Sequence, residues 1–176
     1  ALLYGLAVGS VLFSLARPLG ELLYHEPDAG TYLRLYAPLV PLLYTDIVTD
    51  AVCKGLGHQD ANARYNLLTS FLDVAFLWYL LPRLGLGGYF FSFAVTHLVN
   101  FLLSFRRLVL VSGIRMELSP VLRAAVCTLA AALGAELLPQ GSGALGLVLS
   151  GSCCLLLLLF LWTLLRVIGP EDFLWL

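Results

Sequence analysis

The sequence predicts an all-α integral membrane protein with six transmembrane helices. The 176 residues are 60% hydrophobic and only 12% charged, with a mean hydropathy of +0.92, whereas about 25% of the residues in a soluble domain are charged. The apolar residues fall into six stretches, each close to the roughly 20 residues that a helix needs to cross a bilayer. Short segments rich in proline, glycine and polar residues separate these stretches.

Composition and motifs also limit the function. The net charge of −1 gives no reason to expect nucleic-acid binding. The four cysteines form neither a Cys-x-x-Cys pair nor a set with histidine at metal-ligand spacing, and we interpret them as small hydrophobic residues. The sequence contains no His-Glu-x-x-His, Gly-x-Ser-x-Gly or complete Gly-x-Gly-x-x-Gly motif. It therefore predicts a protein that is not an enzyme and that has no metal or organic cofactor.

The chain begins inside an apolar stretch. This stretch has neither a charged n-region nor a cleavage site, so it lacks the pattern of a signal peptide. We expect the chain to be the C-terminal piece of a longer protein.

Proline and polar residues bound the predicted helices. Arg17-Pro18 is expected to break the first helix, and a short amphipathic piece and a polar loop over 25–30 follow it. Pro38 and Pro41 lie inside the second helix and are expected to kink it. The third helix is expected to stop at Pro82. The predicted ranges are about 2–16, 31–54, 61–81, 89–111, 119–138 and 144–168.

The basic residues predict the orientation of the helices. If six helices alternate, the turn between the second and third, the loop between the fourth and fifth, and the C-terminus lie on one side. Most basic residues lie near these three places: Lys54, Arg64, Arg106, Arg107, Arg115, Arg123 and Arg166. The positive-inside rule therefore places all three in the cytoplasm. The chain is expected to be a multi-pass protein of the cell membrane.

Polar residues form a line down one face of each of the first four predicted helices. The fifth and sixth helices have no ionisable residue over 124–135 and 144–165. We therefore expect the first four helices to surround a polar feature and the last two to face lipid. The lines are Ser10, Ser14, Arg17 and Glu21; Arg34, Asp46, Asp50 and Lys54; Asn62, Asn66, Ser70 and Asp73; and Ser92, Thr96, Asn100, Ser104 and Arg107.

Three acids lie deep within the predicted spans. At 1.5 Å per residue, Asp46 and Asp50 fall roughly 5 and 10 Å inward of the middle of the second helix, and Asp73 lies near the middle of the third. A charge at mid-bilayer costs about 2.5–3.5 kcal/mol, so it normally faces a cavity or a partner. The candidate residues for a substrate or ion cavity are Asp46, Asp50, Asp73, Arg34, Asn66 and Asn100.

Most of these candidates also have a structural interpretation. Asp50 and Lys54 have the i, i+4 spacing of a local ion pair, and Asn66 and Asn100 suit hydrogen bonds between helices. Arg34 either extends to the membrane interface or binds an anionic head group. A purely structural role is hardest to assign to Asp46 and Asp73.

An ordered series of motifs resembles a known family. The series is Pro38-Leu-Val-Pro41-Leu-Leu-Tyr-Thr-Asp46, Lys54-Gly55-Leu-Gly57-His-Gln59, Arg64-Tyr-Asn66, Leu80-Leu-Pro82-Arg-Leu-Gly85-Leu-Gly-Gly88-Tyr89 and Gly169-Pro-Glu-Asp-Phe. It is similar to the stage V sporulation protein B group, in the polysaccharide-exporter branch of the multidrug/oligosaccharidyl-lipid/polysaccharide flippase superfamily. The resemblance covers nearly the whole chain.

The resemblance implies a fourteen-helix, two-lobe flippase fold of which this chain is the C-terminal part. Residues 1–113 would be the last four helices of the C-terminal lobe, and residues 114–176 an additional two-helix hairpin and a cytoplasmic C-terminus. It also implies alternating access between two lobes, with the N-terminal lobe of the same protein and membrane lipids as partners. It assigns no established site residue to this chain, because most of the family's key cavity charges lie in the N-terminal lobe.

Four functions remain to be weighed. The first is a non-enzymatic flippase that moves a lipid-linked oligosaccharide or peptidoglycan precursor across the cytoplasmic membrane. The second is an ion-coupled multidrug antiporter of the same superfamily, in which Asp46 or Asp50 binds H⁺ or Na⁺. The third is a structural membrane scaffold, in which the polar lines only hold helices together. The fourth, a membrane glycan polymerase or ligase, is disfavoured by the short loops.

Overall fold

The computed structural model describes residues 1–25, 27–113, 118–136, 143–165 and 167. These residues form helices and no strands. The α-helices are α1 (Leu2–Leu19), α2 (Pro27–Tyr36), α3 (Val40–Gly55), α4 (Gln59–Leu84), α5 (Leu86–Ser112), α6 (Leu118–Glu136) and α7 (Gly143–Leu164). A π-helical turn, Gly20–Tyr24, follows α1, and a 3-10 turn, Ala37–Leu39, joins α2 to α3.

Six spans in the described part of the chain are long and apolar enough to cross a membrane. They are Leu2–Leu23, Asp28–Gly55, Gln59–Leu84, Leu86–Ser112, Ser119–Glu136 and Leu145–Leu164. The prediction of an all-helical chain with six membrane-length helices is therefore confirmed. The orientation of the helices and the identity of the membrane remain predictions.

Three predicted helix boundaries are wrong, each at or next to a proline. Pro18 does not break the first helix, because the chain stays helical to Leu19 and then widens into the π-helical turn. The predicted loop over 25–30 is helical from Pro27, which begins α2. Pro82 lies inside α4, which continues to Leu84. Proline removes one backbone hydrogen bond, and a membrane helix tolerates this loss where neighbouring groups or local 3-10 or π turns adjust.

The second span departs from regular α-helix at the prolines where a kink was predicted. The 3-10 turn contains Pro38, and Pro41 follows in the first turn of α3. The predicted turn over 139–143 lies outside the described residues except for Gly143, with which α7 begins, and the predicted end of the last helix at residue 168 also lies outside them.

Contacts divide the chain into two compact units. The first contains Ala1–Leu2 and Pro41–Arg115, and the second contains Leu3–Val40 and Met116–Leu176. This grouping differs from the predicted division at residue 113, because nearly all of the first span falls with α6 and α7. The packing explains the grouping: Leu6 and Ala7 pack against a buried cluster of α6 and α7 residues, which is Cys127, Ala131, Leu158 and Trp162.

Two glycines allow close backbone packing in the second unit. Gly20 and Gly30 lie against each other where the chain turns from the first span into α2. A Cβ atom at Gly30 would lie 2.9 Å from the Arg17 Cα atom and 3.0 Å from the Ala16 carbonyl oxygen. A side chain at either glycine therefore requires a backbone shift.

In the first unit, α4 and α5 form a tight helical hairpin. They are joined by Gly85 alone, whose φ of 57° is favourable only for glycine. One face of α4 presents large apolar side chains, among them Leu67, Phe71 and Trp78, which are 74%, 73% and 83% exposed. An exposed apolar face of this kind suits contact with lipid.

Candidate ion or substrate site in the first unit

The polar lines of α3, α4 and α5 meet inside the first unit. Their most buried polar residues are Asp46, Thr49, Asn62, Thr69, Ser92, Thr96, Asn100 and Ser104. Lipid offers no hydrogen bonds, so polar side chains in membrane-length helices are most stable when they bond to one another. The sequence prediction that these faces share a polar environment is confirmed for these three helices.

Asp50 binds side chains from both neighbouring helices. One carboxylate oxygen accepts hydrogen bonds from Asn62 Nδ2 at 2.9 Å and Ser104 Oγ at 3.1 Å. The other accepts a bond from Asn66 Nδ2 at 3.3 Å and lies 4.0 Å from Lys54 Nζ. The expected i, i+4 pair with Lys54 is present, but it is the weakest of these contacts. Asp50 therefore acts mainly as a link between α3, α4 and α5.

Asp46 lies one turn before Asp50 and is only partly satisfied. Its Oδ2 atom accepts a hydrogen bond from Asn100 Nδ2 at 3.1 Å, and Asn100 Oδ1 accepts one from Thr69 Oγ1 at 3.4 Å. The Asp46 side chain is buried, yet its Oδ1 atom has no hydrogen-bond partner among the described residues. A buried acceptor left unpaired costs about 1–3 kcal/mol. Asp46 Oδ1 is therefore suited to hold a proton, a cation or a water molecule.

Asp73 is held by two hydroxyl groups from α5. Its Oδ1 atom accepts hydrogen bonds from Ser92 Oγ at 2.7 Å and Thr96 Oγ1 at 3.3 Å. Thr96 Oγ1 is also 2.9 Å from the Ser92 carbonyl oxygen. The second carboxylate oxygen of Asp73 has no hydrogen bond to another described residue, so this acid can still accept one.

A polar recess of about 170 Å³ lies between α4 and α5. It is large enough to hold several water molecules. Asp73 is its one carboxylate, and neither lysine nor arginine is among the described residues that line it. The lining residues are Asn66, Thr69, Ser70, Asp73, Thr96, His97 and Asn100. This lining favours a cation, a proton or an uncharged polar group over an anion.

Four of the six predicted site residues meet in this region directly. Asn66, Asp73 and Asn100 line the recess, and Asp46 is bonded to Asn100. Asp50 joins them through Asn66. Asn66 and Asn100 combine both predicted roles, because each donates a hydrogen bond to an acid on α3 and each lines the recess.

Arg34 belongs to a different set of contacts, within the second unit. Its Nη2 atom is 2.7 Å from Glu136 Oε2, and its guanidinium lies 4.6 Å from the centre of the Phe13 ring. Both charged side chains are partly exposed. Neither predicted alternative, extension to the interface or binding of a head group, included this partner. The geometry gives Arg34 a role in joining α1, α2 and α6.

We expect Arg34→Gln and Glu136→Gln each to lower the stability of the full-length protein by about 1 kcal/mol, because each removes the same partly exposed ion pair. The measurement is a double-mutant cycle of unfolding in detergent micelles. The double variant should lose about as much as either single variant, whereas Arg64→Gln, on an exposed part of α4, should change little. Additive losses would contradict a direct pair.

The polar line of α1 lies in the second unit. The hydroxyls of Ser10 and Ser14 each donate to a backbone carbonyl oxygen three residues earlier. The prediction that four helices surround one polar feature is thus supported for α3, α4 and α5.

Sequence reasoning missed two histidines that have polar surroundings. His97 lines the recess, and its ring lies 4.2 Å from that of Phe93, centre to centre. His58 Nδ1 is 3.1 Å from Arg107 Nη2, which ties the turn after α3 to α5. The sequence feature that could have identified His97 is its position directly after Thr96, which belongs to the polar line of α5.

The described residues contain no group of three or more histidine, cysteine, aspartate or glutamate side chains that could hold a metal ion. Amide and hydroxyl groups donate the hydrogen bonds that the three carboxylates of the site do accept, and the Lys54 ammonium lies 4.0 Å from Asp50.

No family model, curated protein or solved structure matches the chain. The described residues define a helical protein with six membrane-length spans and a buried, acid-containing polar network in three of them.

Proposed function

We propose that this chain is the C-terminal part of a non-enzymatic flippase that moves a lipid-linked oligosaccharide or peptidoglycan precursor across the cytoplasmic membrane by alternating access. The observation that carries the proposal is the polar network of α3, α4 and α5, which places three carboxylates and an open recess inside membrane-length helices. Ionisable residues at such positions mark substrate or ion pathways in membrane proteins. The motif series that resembles the stage V sporulation protein B group supplies the substrate class.

In this proposal the recess binds a cation or an uncharged polar group of the substrate during transport. A pyrophosphate would meet Asp73 there and no described lysine or arginine. The anionic part of a glycolipid therefore binds outside this recess, which agrees with the cationic cavity that the resemblance attributes mainly to the N-terminal lobe.

The recess also favours a second candidate, an ion-coupled multidrug antiporter. A carboxylate among amide and hydroxyl groups suits an organic cation as well as a coupling ion. In this case Asp73 would bind the drug or the ion, and Asp46 or Asp50 would supply the coupling site.

Reconstitution of the full-length protein in vesicles separates these functions. We expect a fluorescent lipid-linked glycan to become accessible on the opposite leaflet, and we expect no accumulation of a cationic dye under an imposed proton or sodium gradient. Protein-free vesicles are the control. Dye accumulation without glycolipid movement would favour the antiporter, and neither activity would favour a structural scaffold.

A further inference from the structure

Basic side chains are concentrated at one end of the first unit, which contains α4, α5 and nearly all of α3. The end of α3, the start of α4 and the end of α5 meet there, because His58 Nδ1, just before α4, is 3.1 Å from Arg107 Nη2 of α5. Among the described lysine and arginine residues of this unit, Arg83 alone lies at the opposite end. The other four are at the His58 end: Lys54, Arg64, Arg106 and Arg107.

The depth of Arg107 in α5 matches the level of lipid phosphates. With its 27 residues, α5 is roughly 40 Å long. This length is close to the full thickness of a bilayer, about 40–45 Å with head groups around a hydrocarbon core of about 30 Å. The head-group layer therefore covers about 5–8 Å at each end of the helix. Arg107 lies roughly 7 Å before the last residue, Ser112, at the boundary between this layer and the hydrocarbon.

The guanidinium of Arg107 has more hydrogen-bond donors than partners. It carries five N–H donors, and among the described residues only its Nη2 group has a partner, the ring of His58. Its Nε atom is buried and unpaired in that part of the chain. No described carboxylate forms an ion pair with it. A charged donor that lacks an acceptor is costly away from water, so Arg107 is suited to bind an anion.

The charges around Arg107 also favour an anion. Arg64 and Arg106 are exposed and form no ion pair with a described residue. Of the two acids near this end, Asp50 already accepts hydrogen bonds from α4 and α5, and Asp60 is exposed in the first turn of α4. Arginine matches phosphate oxygens with two parallel N–H donors. Basic clusters beside membrane helices attract anionic lipids.

We propose that Arg107 binds the phosphate of an anionic lipid head group and that Lys54, Arg64 and Arg106 attract such lipids to this end of the first unit. The phosphate oxygens accept hydrogen bonds from the guanidinium, and the acyl chains remain in the surrounding hydrocarbon. At the opposite end, Arg83 contacts the ring and the hydroxyl of Tyr79 on its own helix. The site is separate from the recess, and it does not depend on the proposed transport.

The first test detects the contact directly and requires no transport. The full-length protein, labelled with nitrogen-15 at arginine, is reconstituted without free phosphate in phosphatidylcholine vesicles that contain phosphatidylglycerol. Solid-state NMR measures the dephasing of each arginine signal by nearby phosphorus-31. We expect strong dephasing of one signal that is absent from Arg107→Lys. If this conservative variant fails to fold, His58→Ala identifies the same signal through its shift.

Vesicles of pure phosphatidylcholine distinguish the sources of the phosphate. We expect weaker dephasing of the Arg107 signal there, because the choline cation is repelled by the basic cluster. Equal dephasing with and without phosphatidylglycerol, or none in either, would overturn the anionic-lipid site. A further sample of pure phosphatidylcholine receives inorganic phosphate. If dephasing appeared only in that sample, the ligand would be a free phosphate ion and the lipid assignment would be wrong.

The second test measures how the neighbouring charges attract the lipid. The share of phosphatidylglycerol that gives half-maximal dephasing of the Arg107 signal should rise about fivefold in Arg106→Gln, which removes one exposed cation from this end. Arg83→Gln is the matched control, because it removes the same charge from the opposite end, and it should leave that share unchanged. No rise in Arg106→Gln, or an equal rise in Arg83→Gln, would show that the basic cluster does not attract the lipid.

Discussion

Asp73→Ala is expected to reduce glycolipid translocation by the full-length protein at least about tenfold without changing its abundance. Asp73 is the one carboxylate among the described residues that line the recess. Its loss removes the negative charge that the proposed function uses there. A tenfold effect corresponds to about 1.4 kcal/mol of barrier height. The fold should survive, because Thr96 keeps its hydrogen bond to the Ser92 carbonyl oxygen.

The measurement compares translocation rates in vesicles at equal amounts of protein. Asp46→Ala should give a similar loss, because it removes the carboxylate that Asn100 orients toward the same network. Asp60→Ala is the control and should translocate at the wild-type rate. Full activity in both Asp46→Ala and Asp73→Ala would show that the polar network of this unit plays no part in transport.

Asp50→Ala is expected to cause the largest loss of stability among the acid substitutions. It removes the acceptor for Asn62, Asn66 and Ser104 at once. Side-chain hydrogen bonds in membrane proteins contribute about 0.6 kcal/mol on average and at most about 1.7, so three of them amount to roughly 2–5 kcal/mol. Asn62 is fully buried, and without the carboxylate its amide would keep only the 3.4 Å hydrogen bond to the backbone carbonyl oxygen of residue 50.

Unfolding of the full-length protein by a denaturing detergent in mixed micelles provides the measurement. Asp50→Asn should recover part of the loss, because its amide oxygen still accepts from Asn62 or Ser104. Asp60→Ala should cost less than about 1 kcal/mol, since it removes only a favourable charge near a helix N-terminus. If Asp50→Ala and Asp60→Ala were equally stable, Asp50 would not link the three helices.

Much of the fold could be predicted from the sequence because membrane spans depend on length and average hydropathy. Neither quantity is sensitive to one residue, so the six spans were predicted correctly. Individual prolines were harder, because the effect of a proline depends on whether the surrounding turns can adjust. Pro38 does distort its helix, whereas the chain remains helical through Pro18 and Pro82.

The candidate site was predictable in part for a similar reason. Depth in a span identifies a costly charge, and this argument selected Asp46, Asp50 and Asp73 without knowledge of their partners. It could not identify which helices supply those partners, because that depends on packing between segments far apart in sequence. Arg34 shows the limit, since its ion-pair partner Glu136 lies 102 residues away.

The single-residue connection at Gly85 has a consequence for the chemistry of the recess. A residue inserted after Gly85 and taken up into the first turn of α5 would rotate the rest of α5 by about 100° relative to α4, because an α-helix has 3.6 residues per turn. Ser92 and Thr96 would then face away from Asp73, and apolar neighbours would take their place. The register of this hairpin is thus as much a determinant of the site as the acid itself. A turn that contains no polar side chain sets which polar side chains meet.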